Sequence, residues 1–389
     1  MNDALFPPTP EAAAARLAAV NPAAYARSRN HLDGAVTRLS PYLTHGLLDV
    51  PTVLTALRAR QPIAPGHKLV FELAWREFFH HAWRHDGERI FSSLKQGPLP
   101  DAAYARTLPA DVAAAQSGVP AIDAAVRTLY ATGYLHNHAR MWLASYLVHL
   151  RKVHWRVGAD WLYGHLLDGD LASNHLSWQW VAGTGSHRPY LFNAENVAKY
   201  APIEWHSPGT AIDTGYGSLA ALAATPRAVP GGSMKGAGLA PPALLDAPPA
   251  ADFGPPDPAL IAGQAVWLVH PWSLATPPPG SLVIAICDRD FHGRWPWSAR
   301  RWAFVSQRMT ALTPHRWWAS GPALMDALAG AQSVQGVGNL HLGAAFAPLA
   351  LPPMPRACVD PTRRAGSFSN FWAKALPALS ANWTASSPS

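Results

Sequence analysis

The chain has 389 residues, of which 49% are hydrophobic and only 14% charged, with 31 Lys and Arg against 24 Asp and Glu. That length and apolar fraction allow two domains and a sizeable core, and the formal net charge of +7 favours a polyanionic partner, nucleic acid above all. The two cysteines, Cys287 and Cys358, exclude a disulfide framework and fit a reduced cytoplasm; no basic, apolar leader opens the chain and no apolar run is long enough to span a membrane.

In chain order, residues 12–20 and 50–59 have short helical periodicity, and 67–85 a longer one rich in Phe, Trp and His. A helix over 122–129 breaks at Thr132-Gly133 and resumes over 135–153; further pieces follow at 161–167 and 171–181. Residues 1–205 are therefore expected to form an all-α domain. Pro, Gly, Ala and Ser dominate 206–263, which reads as a linker with a few residues wrapped on the first domain. Strands are expected at 265–269, 282–287, 316–319 and 333–337, with helices at 298–312 and 322–329. That alternation predicts a small Rossmann-like α/β domain over 264–350, and 282–287 has the continuous apolar run of a buried parallel strand. Residues 351–389 are expected to be an extension, partly disordered and frayed after Leu379.

The most informative stretch lies between His154 and Trp180. It sets Asp168 and Asp170, the amide Asn174 and three tryptophans (Trp155, Trp178, Trp180) close together. That mixture suits a redox cofactor better than a hydrolytic site. Upstream, Asn137, Arg140 and Met141 share a helix face, and Arg140 calls for a carboxylate partner, with Asp168 and Asp170 both candidates. Spacing alone fits a structural ion pair at least as well. Asn174 and Trp178 share a face too, and periodicity alone favours an aromatic core. Glu72 and Trp75 share another; a solvated Glu72, or one paired with Arg76, is the plainer alternative. His81 and His85 have metal-face spacing without a fixed carboxylate, so no metal site is expected. There is no Walker loop, no GxSxG elbow and no full dinucleotide fingerprint.

Five motifs stand in the order of one known family. They are Thr37-Arg38-Leu39-Ser40-Pro41-Tyr42-Leu43, Glu72-Leu73-Ala74-Trp75-Arg76-Glu77-Phe78, Ile122-Asp123-Ala124-Ala125, Thr132 through Met141, and Asp168 through Asn174 running on to Trp178-Gln179-Trp180. Over residues 22–202 the chain resembles the flavin-binding helical domain of DNA photolyases and cryptochromes. The resemblance implies a non-covalent FAD, with Tyr25, Thr37, Arg38, Leu39 and Ser40 near its phosphates and ribityl chain. It implies Arg140 paired with Asp168 beside the flavin, Asp170 at a polar edge and Asn174 facing flavin N5. Glu72, Trp75, Asn137, Met141 and Trp180 would line a pocket for a cyclobutane pyrimidine dimer in UV-damaged DNA, with Glu72 donating a hydrogen bond. Trp178 and Trp155 would feed electrons to the flavin. The implied activity is light-driven dimer repair by a photo-lyase acting as a monomer; the alternative is a cryptochrome-like photoreceptor without repair.

This sequence departs from the family in order and in detail. The α/β piece, which resembles a shortened antenna domain with an unknown second chromophore, follows the flavin motifs instead of preceding them. Val36 and His175 replace residues usual in two motifs. The distal tryptophan of the electron chain is missing, with Val112 near its place and Trp161 or Trp142 as candidate substitutes.

Overall fold

Each main periodicity becomes an element close to its expected bounds, and the residues at the ends explain where it stops. The computed structural model describes residues 5–232, 238–249 and 252–385. Helices span Pro10–Ala18, Val50–Arg60, Lys68–Asp86, Pro120–Thr132, Asn137–Ser145, Trp155–His165 and Leu171–Ala182. Thr9 and Asp49 cap the first two, each accepting from a backbone N–H three residues on. The break at 132–133 is a left-handed Gly133 (φ 67°) ending Pro120–Thr132. The helix expected to continue to 153 instead ends at Ser145 and passes into a π turn, Tyr146–Leu150.

The chain divides into two compact units. The helical unit comprises Asn21–Val36 and Phe78–Pro242; the mixed unit comprises Met1–Val20, Thr37–Glu77 and Ala243–Ser389. The units alternate along the sequence, so their limits do not follow the composition changes at 205 and 263. The division falls inside the Lys68–Asp86 helix.

The helical unit has a continuous core built from Ile122, Val126, Leu129, Trp142, Leu143, Leu147 and Leu162 among others. The mixed unit holds a four-stranded sheet: β1 (Ala265–Val269), β2 (Leu282–Asp288), β3 (Arg316–Ala319) and β4 (Ser333–Gly336). All pairs are parallel, in the order β3-β2-β1-β4. Ile284 to Cys287 of β2 are fully buried, as the apolar run required. Much of the tryptophan content is packing: Trp297 and Trp302 are fully buried here, and the guanidinium of the buried Arg301 lies 3.9 Å over the Trp297 ring.

Two expectations need correction. The Pro/Gly-rich stretch is not a loose linker where it is described. It contains a helix, Tyr216–Ala223, and its backbone pairs with the helical unit through Val229 N to Leu150 O (2.8 Å) and Gly232 N to Ser117 O (2.9 Å). Gly118, left-handed at φ 79°, and Gly232 approach so closely that a Cβ on either would fall within 2.8 Å of the other's Cα. Buried Lys152 adds a clamp, its Nζ donating to the carbonyls of His149 (2.6 Å) and Leu222 (2.7 Å). Small residues bury little apolar surface, but they let the backbone find partners directly. Likewise the described chain continues as a helix past Leu379, Phe368–Ala385, with the Trp383 indole N–H donating to Ile63 O at 2.7 Å. Residues 386–389 lie outside the described residues.

Burial holds three histidines of the helical unit, His138, His149 and His165, down at about 4 from the ordinary 6.5. Each is neutral when folded, whereas an unfolded histidine takes its proton near 6.5. The unfolded chain therefore binds more protons in between, and stability should fall as pH drops from about 6.5 towards about 4. Denaturant midpoints followed by circular dichroism across that range should decrease steadily; a flat profile would contradict the burial.

Candidate flavin site

The Leu171–Ala182 helix begins at Asp170, whose Oδ1 accepts the backbone N–H of Ser173 at 2.8 Å. Its Oδ2 accepts from His80 Nε2 at 2.7 Å. Both oxygens of this buried carboxylate are thus engaged within the helical unit. Two residues earlier the chain turns, held by Leu167 N to Gly133 O at 2.8 Å. That bond brings Asp168 to the Asn137–Ser145 helix. Arg140 Nη2 donates to both Asp168 oxygens, at 2.9 and 2.7 Å, while its Nε donates to Leu135 O at 2.7 Å. Of the two carboxylates left open as partners for Arg140, the geometry selects Asp168. The Asp168 side chain is 3% exposed and that of Arg140 25%, so the pair is desolvated on the acidic side and open on the basic side.

Beside this pair the helix carries polar atoms with unused capacity. Asn174 Nδ2 donates to Ala159 O at 2.8 Å, and its Oδ1 makes no bond among the described residues. Ser173 Oγ is buried without a hydrogen-bond partner. A buried orphan hydroxyl costs stability unless something answers it. An amide oxygen, a hydroxyl and a half-open guanidinium suit a ligand rich in ring amides and carbonyls, as the polar edge of a flavin is. They do not make a metal site, and among the described residues no group of three His, Cys, Asp or Glu could hold one.

The tryptophans separate by environment. Trp178 is buried and lies on Gly158, where a Cβ would meet its six-membered ring at 2.3 Å. Trp155, three residues before Gly158, is buried and donates its indole N–H to Ser93 Oγ at 2.9 Å. Trp180 is 40% exposed, with Tyr190 at 5.8 Å. The candidate substitutes for a third electron carrier, Trp142 and Trp161, make contacts of their own. Trp142 is enclosed by His138 and Phe192, and Trp161 bonds to Tyr130 Oη at 3.2 Å and packs on His165. His175 is fully buried, with Nδ1 2.8 Å from Leu171 O and Nε2 2.8 Å from Asp160 Oδ1; burial pushes its pKa down while Asp160 opposes that.

Asn137 and Met141 share their expected face, with Asn137 Nδ2 3.4 Å from Met141 Sδ. Tyr25 lies on the Pro22–Ser28 helix of the helical unit. The remaining expected residues belong to the mixed unit. Arg38 is left-handed (φ 51°), Thr37 Oγ1 accepts from Leu39 N at 3.4 Å, and Ser40 opens the Ser40–Thr44 helix. Glu72 pairs with Lys68 at 3.0 Å, and Arg76 donates to Thr44 Oγ1 at 3.3 Å. Trp75 stacks on Phe368 with ring centres 4.0 Å apart and planes 8° from parallel.

Sequence reasoning missed His80, Ser173 and Phe368. The D-x-x-S spacing of Asp170 and Ser173 was a capping signal, and it implied that Asp170 spends one oxygen on its own helix. Phe368 lies almost three hundred positions from Trp75 and carried no such signal.

A paired guanidinium, an open amide and buried indoles thus stand on adjoining helices. Residues 69–205 match the family model for the FAD binding domain of DNA photolyase. It is 35% identical over 191 residues to a cryptochrome DASH of Idiomarina loihiensis, covering 46% of this chain and 42% of that protein. It is 37% identical over 155 residues to a deoxyribodipyrimidine photo-lyase of Streptomyces griseus, covering 39% and 33%. Against the crystal structure of a Synechocystis cryptochrome the TM-score is 0.44 at 28% identity, over 49% of this chain and 43% of that one. The chain thus spans less than half the length of the curated relatives it matches. Among the described residues no helix is long and apolar enough to cross a membrane.

Because Trp178 needs the bare surface of Gly158, Gly158→Ala should displace the indole and destabilise the helical unit by about 1–3 kcal/mol. A red-shifted tryptophan emission with a lowered denaturation midpoint would report it; an unchanged midpoint would mean that the helices simply move apart.

Proposed function

We propose that the chain is a light-driven, FAD-dependent repair protein acting on cyclobutane pyrimidine dimers in UV-damaged DNA. The observation that carries this reading is the Arg140–Asp168 ion pair, set beside an Asn174 whose amide oxygen is unspent. FAD, when bound, supplies the photochemical electron transfer. Asp168 and the Leu135 carbonyl fix the guanidinium of Arg140, so it presents a positive, hydrogen-bonding face without losing side-chain freedom on binding. Asn174 holds its amide plane through Ala159 and offers Oδ1 as an acceptor. Asp170 positions the helix that carries Asn174.

On the DNA side, the excess positive charge favours phosphate contacts, and the exposed face of Trp180 offers a surface for an unstacked base. A dimer stacks poorly, so extruding it costs little compared with an intact pair. Stacking on an aromatic face returns about 1–3 kcal/mol per base. Asn137 and Met141 are proposed to contact the extruded bases. Glu72 is proposed as the hydrogen-bond donor to the lesion and Trp75 as a further wall.

One observation favours a second reading, a blue-light photoreceptor without repair. The Trp75 ring already faces Phe368, and a stacked wall has no free face to give a base on that side.

Purified protein should carry a flavin absorption band and, once reduced, restore dimer-bearing oligonucleotides under blue light. Trp180→Ala should weaken binding to such DNA by about 1–3 kcal/mol without removing the flavin. Flavin-loaded, reduced protein that leaves dimers intact, and still does so as Phe368→Ala, would establish the photoreceptor reading instead.

A further inference from the structure

Outside residues 69–205 the mixed unit carries a cavity that neither the flavin nor the lesion reading uses. It has a volume of about 250 Å³, opens to solvent, and is lined by Val359, Pro361, Thr362, Arg363 and Lys374. Two of these five residues are cations and none is an acid. The surrounding stretch, 351–389, holds Arg356, Arg363, Arg364 and Lys374 against Asp360 alone, so it is more basic than the chain as a whole.

The loop that forms one wall is held in place from within the unit. The buried Glu77 carboxylate accepts the backbone N–H groups of Ala357 at 2.8 Å and Cys358 at 2.7 Å. Arg356 Nη1 pairs with Asp360 Oδ2 at 2.6 Å, and the ring of Pro361 restricts the backbone that follows. The other wall is the Phe368–Ala385 helix. Its Phe371 and Ala375 are fully buried, and Lys374 between them is exposed.

This scaffold sets Arg363 and Lys374 on one cavity without a counter-charge. The acid nearest in sequence, Asp360, is engaged by Arg356. Among the described residues neither Arg363 nor Lys374 has an ion pair, hydrogen bond or ring partner. Two like charges at one cleft repel each other, and an anion between them turns that repulsion into attraction. The guanidinium of Arg363 offers paired N–H donors that match phosphate oxygens, Lys374 adds a point charge, and Thr362 a hydroxyl.

The apolar side of the cavity narrows the choice. Val359 is 56% exposed, and with Pro361 it gives the cavity a surface that a bare inorganic anion does not need. A sugar ring carried by the phosphate would cover it. Sites for drug-sized ligands run to about 300–1,000 Å³, so this smaller cavity takes a small molecule or one unit of a longer one, and excludes a whole flavin dinucleotide.

We propose that this cavity is a nucleotide phosphate site, in which Arg363, Lys374 and Thr362 bind the phosphate while Val359 and Pro361 pack on the sugar. The proposal does not depend on the flavin reading. The phosphate comes either from a free mononucleotide or from one unit of a DNA strand, and the experiment separates these sources.

The full chain is titrated by calorimetry with thymidine 5′-monophosphate and with thymidine, and by fluorescence anisotropy with a labelled, undamaged oligothymidylate over a range of salt. Binding of the monophosphate that weakens about tenfold or more in Arg363→Gln and in Lys374→Gln assigns the free nucleotide. If the monophosphate does not bind, a log–log salt slope for the oligonucleotide that shrinks by about 0.7 in the double variant, the loss of one phosphate contact on a single strand, assigns a unit of a strand. Monophosphate affinity and salt slope both unchanged by the double substitution, whether or not the probes bind, overturn the proposal. Thymidine binding as tightly as its monophosphate also overturns it. The substituted side chains are exposed, so the variants should keep the native denaturation midpoint by circular dichroism. Arg363→Lys, which keeps the charge, should retain part of the binding that Arg363→Gln loses.

Discussion

The helical unit turns on how two carboxylates two residues apart are spent. Asp168 and Asp170 flank a single glycine, yet each is buried against a different cation or donor set. Asp168 takes Arg140 across from the Asn137–Ser145 helix, and Asp170 starts the Leu171–Ala182 helix and takes His80. Leaving either carboxylate unpaired in this interior would cost about 3–5 kcal/mol, so the turn cannot relax without loss of both helices' positions. Asn174 and Ser173 inherit their placement from this turn, and with it the polar face that suits a flavin.

The tryptophans follow from the same helix. Trp178 projects from it onto a glycine of the Trp155–His165 helix, and Trp180 emerges at the surface beside Tyr190. One helix therefore presents a polar cofactor face, a buried indole and an exposed indole at successive positions. Only a helix buried over most of its circumference, as this one is, can serve several neighbours in this way.

Much of this was legible in sequence because the relevant interactions are local or repeat at helical spacing. The helices and the four parallel strands lie on periodicity and apolar runs, whereas spacing left two carboxylates open as partners for Arg140 and only the fold chose between them. Roles fixed by distant contacts were not legible. Trp75 and Phe368 meet across almost the full chain, and nothing in the Glu72-Leu73-Ala74-Trp75 motif announces a stacked partner. His80, next to the His81 and His85 pair, carried no local sign that its ring answers Asp170. The segment after 205 looked unstructured by composition, yet it is held by backbone pairing, by Lys152 and by Ile212 and Leu219 buried in the helical core.

That lysine decides where the polypeptide could be divided. Lys152 is buried with a left-handed backbone (φ 55°), and two of its three carbonyl acceptors, Leu222 and Ala223, lie beyond the point where composition would end the domain. A fragment stopping at residue 205 would strip them away and leave an ammonium group in the interior with a single carbonyl for company. The helical unit is thus longer than its motifs, and its last essential contacts come from residues that contribute nothing to any motif.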